Sequence, residues 1–132
     1  MGDPEKPGTD VGPMARRDLR DQVAAQVRAA VAAGATVLCG GDPRDDLGGF
    51  FYPPTVLGDV TPAVSVYREE VFGPVAAIIT VADADEAVAV ANDTPFGLGA
   101  SVWSADVQAA VTVGRRITSG ACFINALVGS SR

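Results

Sequence analysis

Apolar and polar positions along the chain switch between two periodicities, with glycines and prolines at the switches. From Asp18 to Ala33, Leu19, Val23, Val27 and Val31 recur at every fourth residue, the spacing of one helix face. That assignment puts Arg16, Arg17, Arg20 and Arg28 on the wetter side. Gly34 can end the helix in a left-handed conformation. Thr36 to Cys39 is a short apolar strand stopped by Gly40-Gly41, and Asp45, Asp46, Gly48 and Gly49 mark a polar loop. Phe50 to Leu57 reads as extended. Pro53 and Pro54 cannot donate to a ladder, so they place this segment at a sheet edge or outside the sheet. Val75 to Val81 is a nearly continuous run of Val, Ile and Ala, the pattern of a strand buried on both faces.

The second half repeats the alternation. Asp83 is placed to cap a helix, with Glu86 three residues on as its capping-box partner. Ala84, Ala87, Val88 and Ala91 supply the apolar face, and the segment before Pro95 ends the helix. Leu98 to Trp103 is a strand, with Trp103 expected in or beside the sheet. Ser104 is expected to cap the next helix, whose inner side carries Val107, Ala110, Val111 and Ile117. Gly120 closes it, and Ala121 to Ile124 is a last strand. Residues 2–13 are rich in Gly, Pro and Asp and read as irregular. The pattern predicts an α/β fold, with strands and helices alternating around a mostly parallel sheet.

Composition narrows the function. Of 132 residues, 48% are hydrophobic, enough for a core, and the formal charge is −6 with Lys6 as the single lysine. An acidic balance without a basic patch argues against nucleic acid and against anionic membranes as partners. No run approaches the roughly 20 apolar residues of a membrane span, and residues 1–13 lack the apolar core of a signal peptide. There is no His, which removes Cys/His zinc chemistry and a His general base; no metal site is expected. Two cysteines, Cys39 and Cys122, in a chain of this size do not make a disulfide framework, and the expected setting is a reducing cytoplasm. Both are read as small buried apolar residues rather than reactive thiols.

The segment from Tyr67 to Val75 carries the candidate chemistry. Gly73-Pro74 fixes a turn, and Glu69 and Glu70 lie beside the Phe72 ring. A carboxylate can accept both hydroxyls of a ribose diol, and a ring can flank a flat heterocycle. On residue types alone, a solvated acidic turn with Phe72 in the core is the simpler reading. Arg115-Arg116 near the end of the last helix suits the negative pole of the helix dipole.

Glu69-Glu70-Val71-Phe72-Gly73-Pro74 resembles the Glu-Glu-Ile/Val-Phe-Gly-Pro motif of the aldehyde dehydrogenase superfamily. Further segments agree with that family in order and spacing. These are Thr9 to Pro13, Gly34-Ala35 with Gly40-Gly41, Tyr52 to Val56, Asn92 to Leu98 and Gly120 to Asn125. The resemblance covers nearly the whole chain. It implies that residues 1–132 are the C-terminal portion of an aldehyde dehydrogenase catalytic domain, with NAD or NADP as cofactor and a small aldehyde as substrate. It assigns Glu70 to the nicotinamide-ribose hydroxyls, Phe72 to the ribose and nicotinamide region, Leu98 to the vicinity of the nicotinamide, and the segment from Asn125 to Ser130 to the aldehyde channel.

The family's nucleophilic cysteine, its glutamate base and its glycine-rich cofactor fold are expected before Met1, so no catalytic residue is assigned here. Glu69 is not a replacement base, since an exposed turn carboxylate is too weak. The stretch from Phe123 to Val128 resembles bacterial succinate-semialdehyde-type members. Two functions follow: a part of an aldehyde-oxidising enzyme that is inactive alone, or a non-catalytic module that pairs with a complementing chain or forms a homo-oligomer.

Overall fold

The computed structural model describes residues 1–129, which divide into two compact units: Met1–Thr80, and a second beginning at Val81. Among the described residues no helix is long and apolar enough to cross a membrane.

In the first unit, helix α1 (Arg17–Ala32) accompanies a sheet of β1 (Thr36–Cys39), β2 (Thr55–Gly58) and β3 (Val75–Ala77) in the order β1-β2-β3. β1 runs antiparallel to β2, and β2 runs parallel to β3. The inward face of α1 is Arg20, Val23, Ala24, Val27 and Ala30, whereas Val31 is 44% exposed. The every-fourth-residue stripe therefore overshoots. With 3.6 residues per turn each step of four drifts by about 40°, so a stripe centred on Val23 and Val27 leaves the core at both ends. Alanines 24 and 30 fill the gaps. They close on Ala35, Tyr52, Leu57, Val60, Val64 and Val66.

Arg20 corrects the sequence reading most sharply. Expected on the wet side, it is 5% exposed. Its guanidinium donates to Asp21 through Nε (2.9 Å) and Nη2 (2.7 Å), and to Asp45 through Nη1. A buried cation is tolerable when paired and hydrogen-bonded, and the hydrogen bonds it donates to Asp45 and Asp21 hold the guanidinium above its ordinary pKa. α1 ends as expected: Gly34 sits at φ 106°, its N–H donates to the Val31 carbonyl, and the Ala35 N–H donates to that of Ala30. That paired geometry is a Schellman motif.

Pro53 and Pro54 do not keep the next segment out of the sheet. The ladder begins just after them at Thr55, whose N–H donates to the Pro74 carbonyl at 2.8 Å, and β2 is the central strand. Gly40 permits the approach of β1 to this corner: an added Cβ would stand 2.4 Å from the Pro54 oxygen and from Thr55 Oγ1. β3 also departs from expectation. It spans three residues at the sheet edge, and Ala76, Ala77 and Ile78 are exposed rather than buried on both faces. A continuous apolar run sets what a strand can bury, while neighbouring chain decides what it does bury.

The second unit contains α2 (Ala84–Asn92), β4 (Ala100–Val102), α3 (Val107–Gly114) and β5 (Cys122–Ile124). β4 and β5 pair in parallel and α3 packs on both, a βαβ unit. Among the described residues two of the three strand pairings are thus parallel, as predicted. Asp83 caps α2 by accepting the Glu86 N–H at 2.9 Å. Glu86 Oε2 reaches back to the Ala82 N–H at 2.6 Å, one residue beyond the expected partner. The cap of α3 is Asp106, which accepts the Ala109 N–H at 3.0 Å, rather than Ser104. Ser104 Oγ instead accepts from the Asp106 N–H and orients the cap itself. α3 ends at Gly114, before Gly120, and a Cβ added at Gly114 would stand 3.1 Å from Cys122 Sγ and Ile124 Cδ1 of β5. Trp103 is 61% exposed rather than packed in the sheet.

Candidate functional site

The loop between Tyr67 and Val75 is fixed from behind along its length. A single helical turn, Ser65–Tyr67, leads into it, and the Ser65 carbonyl accepts the Glu69 N–H at 2.9 Å. Gln26 Nε2 on α1 donates to the Glu70 carbonyl at 3.1 Å. Val71 is half-buried against the core cluster. Gly73 lies against α1: an added Cβ would stand 2.6 Å from Val23 Cγ2, so only glycine fits without displacing the core. The Gly73 N–H donates to the Val71 carbonyl at 2.8 Å, and the Pro74 carbonyl takes the Thr55 N–H, tying the loop to β2.

What the loop turns towards the core is thus Val71, which is half-buried there. What it presents is Glu69, Glu70 and Phe72, all exposed, with Phe72 at 70%. The expectation of a core Phe72, weighed from residue types alone, is excluded. The Glu70 carboxylate has no hydrogen bond or ion pair among the described residues. An unpaired carboxylate and an uncovered ring, two residues apart on a pinned backbone, fit a ribose diol joined to a flat heterocycle.

The remaining predicted residues lie in the second unit. Leu98 is 91% exposed, on the turn before β4, where the Gly120 N–H donates to the Gly97 carbonyl at 2.8 Å. Asn125 is a structural clamp. At φ 51° it accepts the Ser104 N–H (2.9 Å) and donates to the Ser104 carbonyl (3.0 Å), while its own N–H reaches the Val102 carbonyl. After it, Leu127 and Val128 are exposed; Ser130, the end of the predicted channel segment, lies outside the described residues. Asn92 is a second clamp unforeseen in the sequence, donating to the Arg116 carbonyl at 2.9 Å and accepting the Thr118 N–H at 2.7 Å. Arg116 also pairs with Asp85 at 2.7 Å, a specific partner in place of a general dipole effect.

Cys39 is exposed, contrary to the expectation of burial, and Cys122 is half-buried. Cys39 lies on β1, whose four residues are all exposed. A cleft lined by Arg17, Arg20, Asp45 and Phe50 holds none of the predicted site residues, and the Arg20 guanidinium there is already engaged by two carboxylates.

Gln26 was also missed. It lies three residues after Val23 and four before Ala30, so a polar residue at apolar-face spacing was the available signal.

With this geometry established, comparison with known proteins is direct. The aldehyde dehydrogenase family profile matches residues 1–131. The chain belongs to the aldehyde dehydrogenase family. It is 50% identical over 130 residues to a succinate-semialdehyde dehydrogenase [NADP(+)] of Mycobacterium avium, an alignment covering 98% of this chain and 27% of that protein. Among solved structures, an NAD-dependent aldehyde dehydrogenase from Sinorhizobium meliloti matches with a TM-score of 0.93 and 43% identity, over 99% of this chain and 26% of that one. A succinic semialdehyde dehydrogenase from Streptococcus pyogenes, in complex with NADP+, matches with a TM-score of 0.91 and 35% identity, over 98% and 28%. The chain therefore spans about a quarter of the length of the curated relatives it matches, 27% for the first of them.

Proposed function

We propose that residues 1–132 are the C-terminal portion of the catalytic domain of an NAD(P)-dependent aldehyde dehydrogenase that oxidises a semialdehyde to a carboxylic acid. The observation that carries this reading is the pinned loop presenting the unpaired Glu70 carboxylate and the exposed Phe72 ring. A bound nicotinamide cofactor supplies the hydride acceptor. Glu70 accepts the two ribose hydroxyls, and Phe72 covers one face of the ribose and nicotinamide region. Leu98, by family resemblance, offers its exposed side chain to the nicotinamide. The semialdehyde class is supported by the identity to succinate-semialdehyde dehydrogenases.

Orientation of the cofactor is the part of catalysis these residues supply; the nucleophile is not among them. We therefore expect the chain alone to bind cofactor weakly and to leave aldehyde unoxidised. Succinate semialdehyde and NADP+ mixed with the purified chain should give no reduced cofactor by absorbance. Turnover that depends on Cys39 or Cys122 would refute this.

A second reading is a non-catalytic module that pairs with a complementing chain or with itself in the cytoplasm. The exposed β1, with Val37 and Leu38 on an outer strand, favours it. Sedimentation should then report a species larger than 13.4 kDa, and a compact monomer at all concentrations would refute it.

A further inference from the structure

We propose that Gln26 is a positioning residue for Glu70: its side-chain amide, reaching from α1, sets the direction of the Glu70 carbonyl and hence that of the carboxylate offered to the ribose. This inference rests on the ribose reading of the same loop. Gln26 lies beside the buried stripe of Val23, Val27 and Ala30, where an apolar side chain would add to the core. It carries an amide instead, with Nε2 donating to the Glu70 carbonyl at 3.1 Å. Its Oε1 is buried and has no partner among the described residues. A buried acceptor without a partner lowers stability, so the burial of Oε1 counts against the fold rather than for it. Fold stability therefore does not account for this amide, whereas its bond to the loop does.

The other anchors act around Glu70 rather than on its carbonyl. The Ser65 carbonyl holds the Glu69 N–H, Val71 is packed, and Gly73 is wedged against Val23. Between these points the oxygen of the peptide joining Glu70 to Val71 takes no other hydrogen bond among the described residues. Gln26 holds it. A carboxylate whose backbone is fixed in advance binds a diol without a further ordering cost.

The test uses the full chain, 15N-labelled, with Gln26→Leu, which keeps the volume and removes both polar atoms. Gln26→Met serves as a second apolar variant, and Gln26→Glu keeps the shape but turns the donor into an acceptor facing the carbonyl. Three readouts are taken: the thermal midpoint, backbone order parameters at Glu70, Val71 and Phe72, and the NADP+ dissociation constant from amide shifts. The apolar variants are expected to keep or raise the midpoint, while the loop order parameters fall from about 0.85 towards 0.6. The dissociation constant should rise about 3- to 10-fold, the effect of losing one hydrogen bond, and Gln26→Glu should do the same. Unchanged order parameters and affinity in all three variants would overturn the proposal. So would loss of the fold in both apolar variants, which would make Gln26 a structural residue. If the wild-type chain fails to bind NADP+ while the order parameters still respond, the ribose reading falls and the loop-setting role of Gln26 stands.

Discussion

In the first unit ten buried side chains from α1, β2 and the surrounding loops close on one cluster, whereas among the described residues of the second the buried hydrophobic side chains are Val88 and Ala110. The second unit compensates with amides. Asn92 and Asn125 each both donate to and accept from the backbone of a distant loop, doing with hydrogen bonds what the first unit does by burial. The difference matters for the site. The Glu70 loop rests on the cluster through Val71 and Gly73, so its geometry depends on a core. The Leu98 turn and the segment after Asn125 depend on a few polar ties at the surface.

This contrast breaks first at Leu57, which is fully buried in the cluster. Leu57→Ala is expected to cost about 2–5 kcal/mol, the range for a leucine truncated in a packed core. Urea denaturation followed by amide exchange should show the loss in β1, β2 and β3. Asn125→Ala should cost less, about 1–3 kcal/mol, since it removes two side-chain hydrogen bonds and leaves alanine in a left-handed conformation. The same exchange measurement should place that loss in β4 and β5. Equal losses in both units from either variant would remove the distinction.

The smallest effect concerns exposed ion pairs of the first unit. The Arg44 guanidinium, hydrogen-bonded to Asp46, holds that carboxyl below its ordinary pKa, and Arg16 does the same to Asp18. A lowered folded-state pKa means that the stabilisation is present above the ordinary carboxylate value of about 4 and is lost as pH falls through the folded value. The difference in thermal midpoint between wild type and Asp46→Asn should therefore be small at pH 7, vanish in acid, and shrink with added salt. A difference that grows in acid would contradict the assignment.

Much of the fold could be read locally. Gly34, Asp83 and the parallel crossover of β4, α3 and β5 follow from neighbours within a few residues, and all stand as expected. What escaped were long-range pairings. Arg20 is buried because Asp45, twenty-five residues away, reaches it. The exposure of β3 and Cys39 depends on which chain lies beside them. Ser104 and Asp106 are both plausible caps, and only the backbone path selects Asp106. For the site, the sequence left Phe72 undecided between core and ligand face. The structure decides it: Phe72 is 70% exposed, in a loop whose Gly73 lies against Val23.

The central claim is that the loop at Glu70 is a pinned ribose-binding surface. Its most direct test is titration of the 15N-labelled chain with NADP+, comparing wild type with Glu70→Ala, a change to an exposed side chain that should leave the fold intact. We predict saturable shifts centred on residues 69–73, with the dissociation constant raised about 10-fold or more in the variant, the effect of losing hydrogen bonds to a charged group. Shifts centred elsewhere, or an affinity indifferent to Glu70, would contradict it.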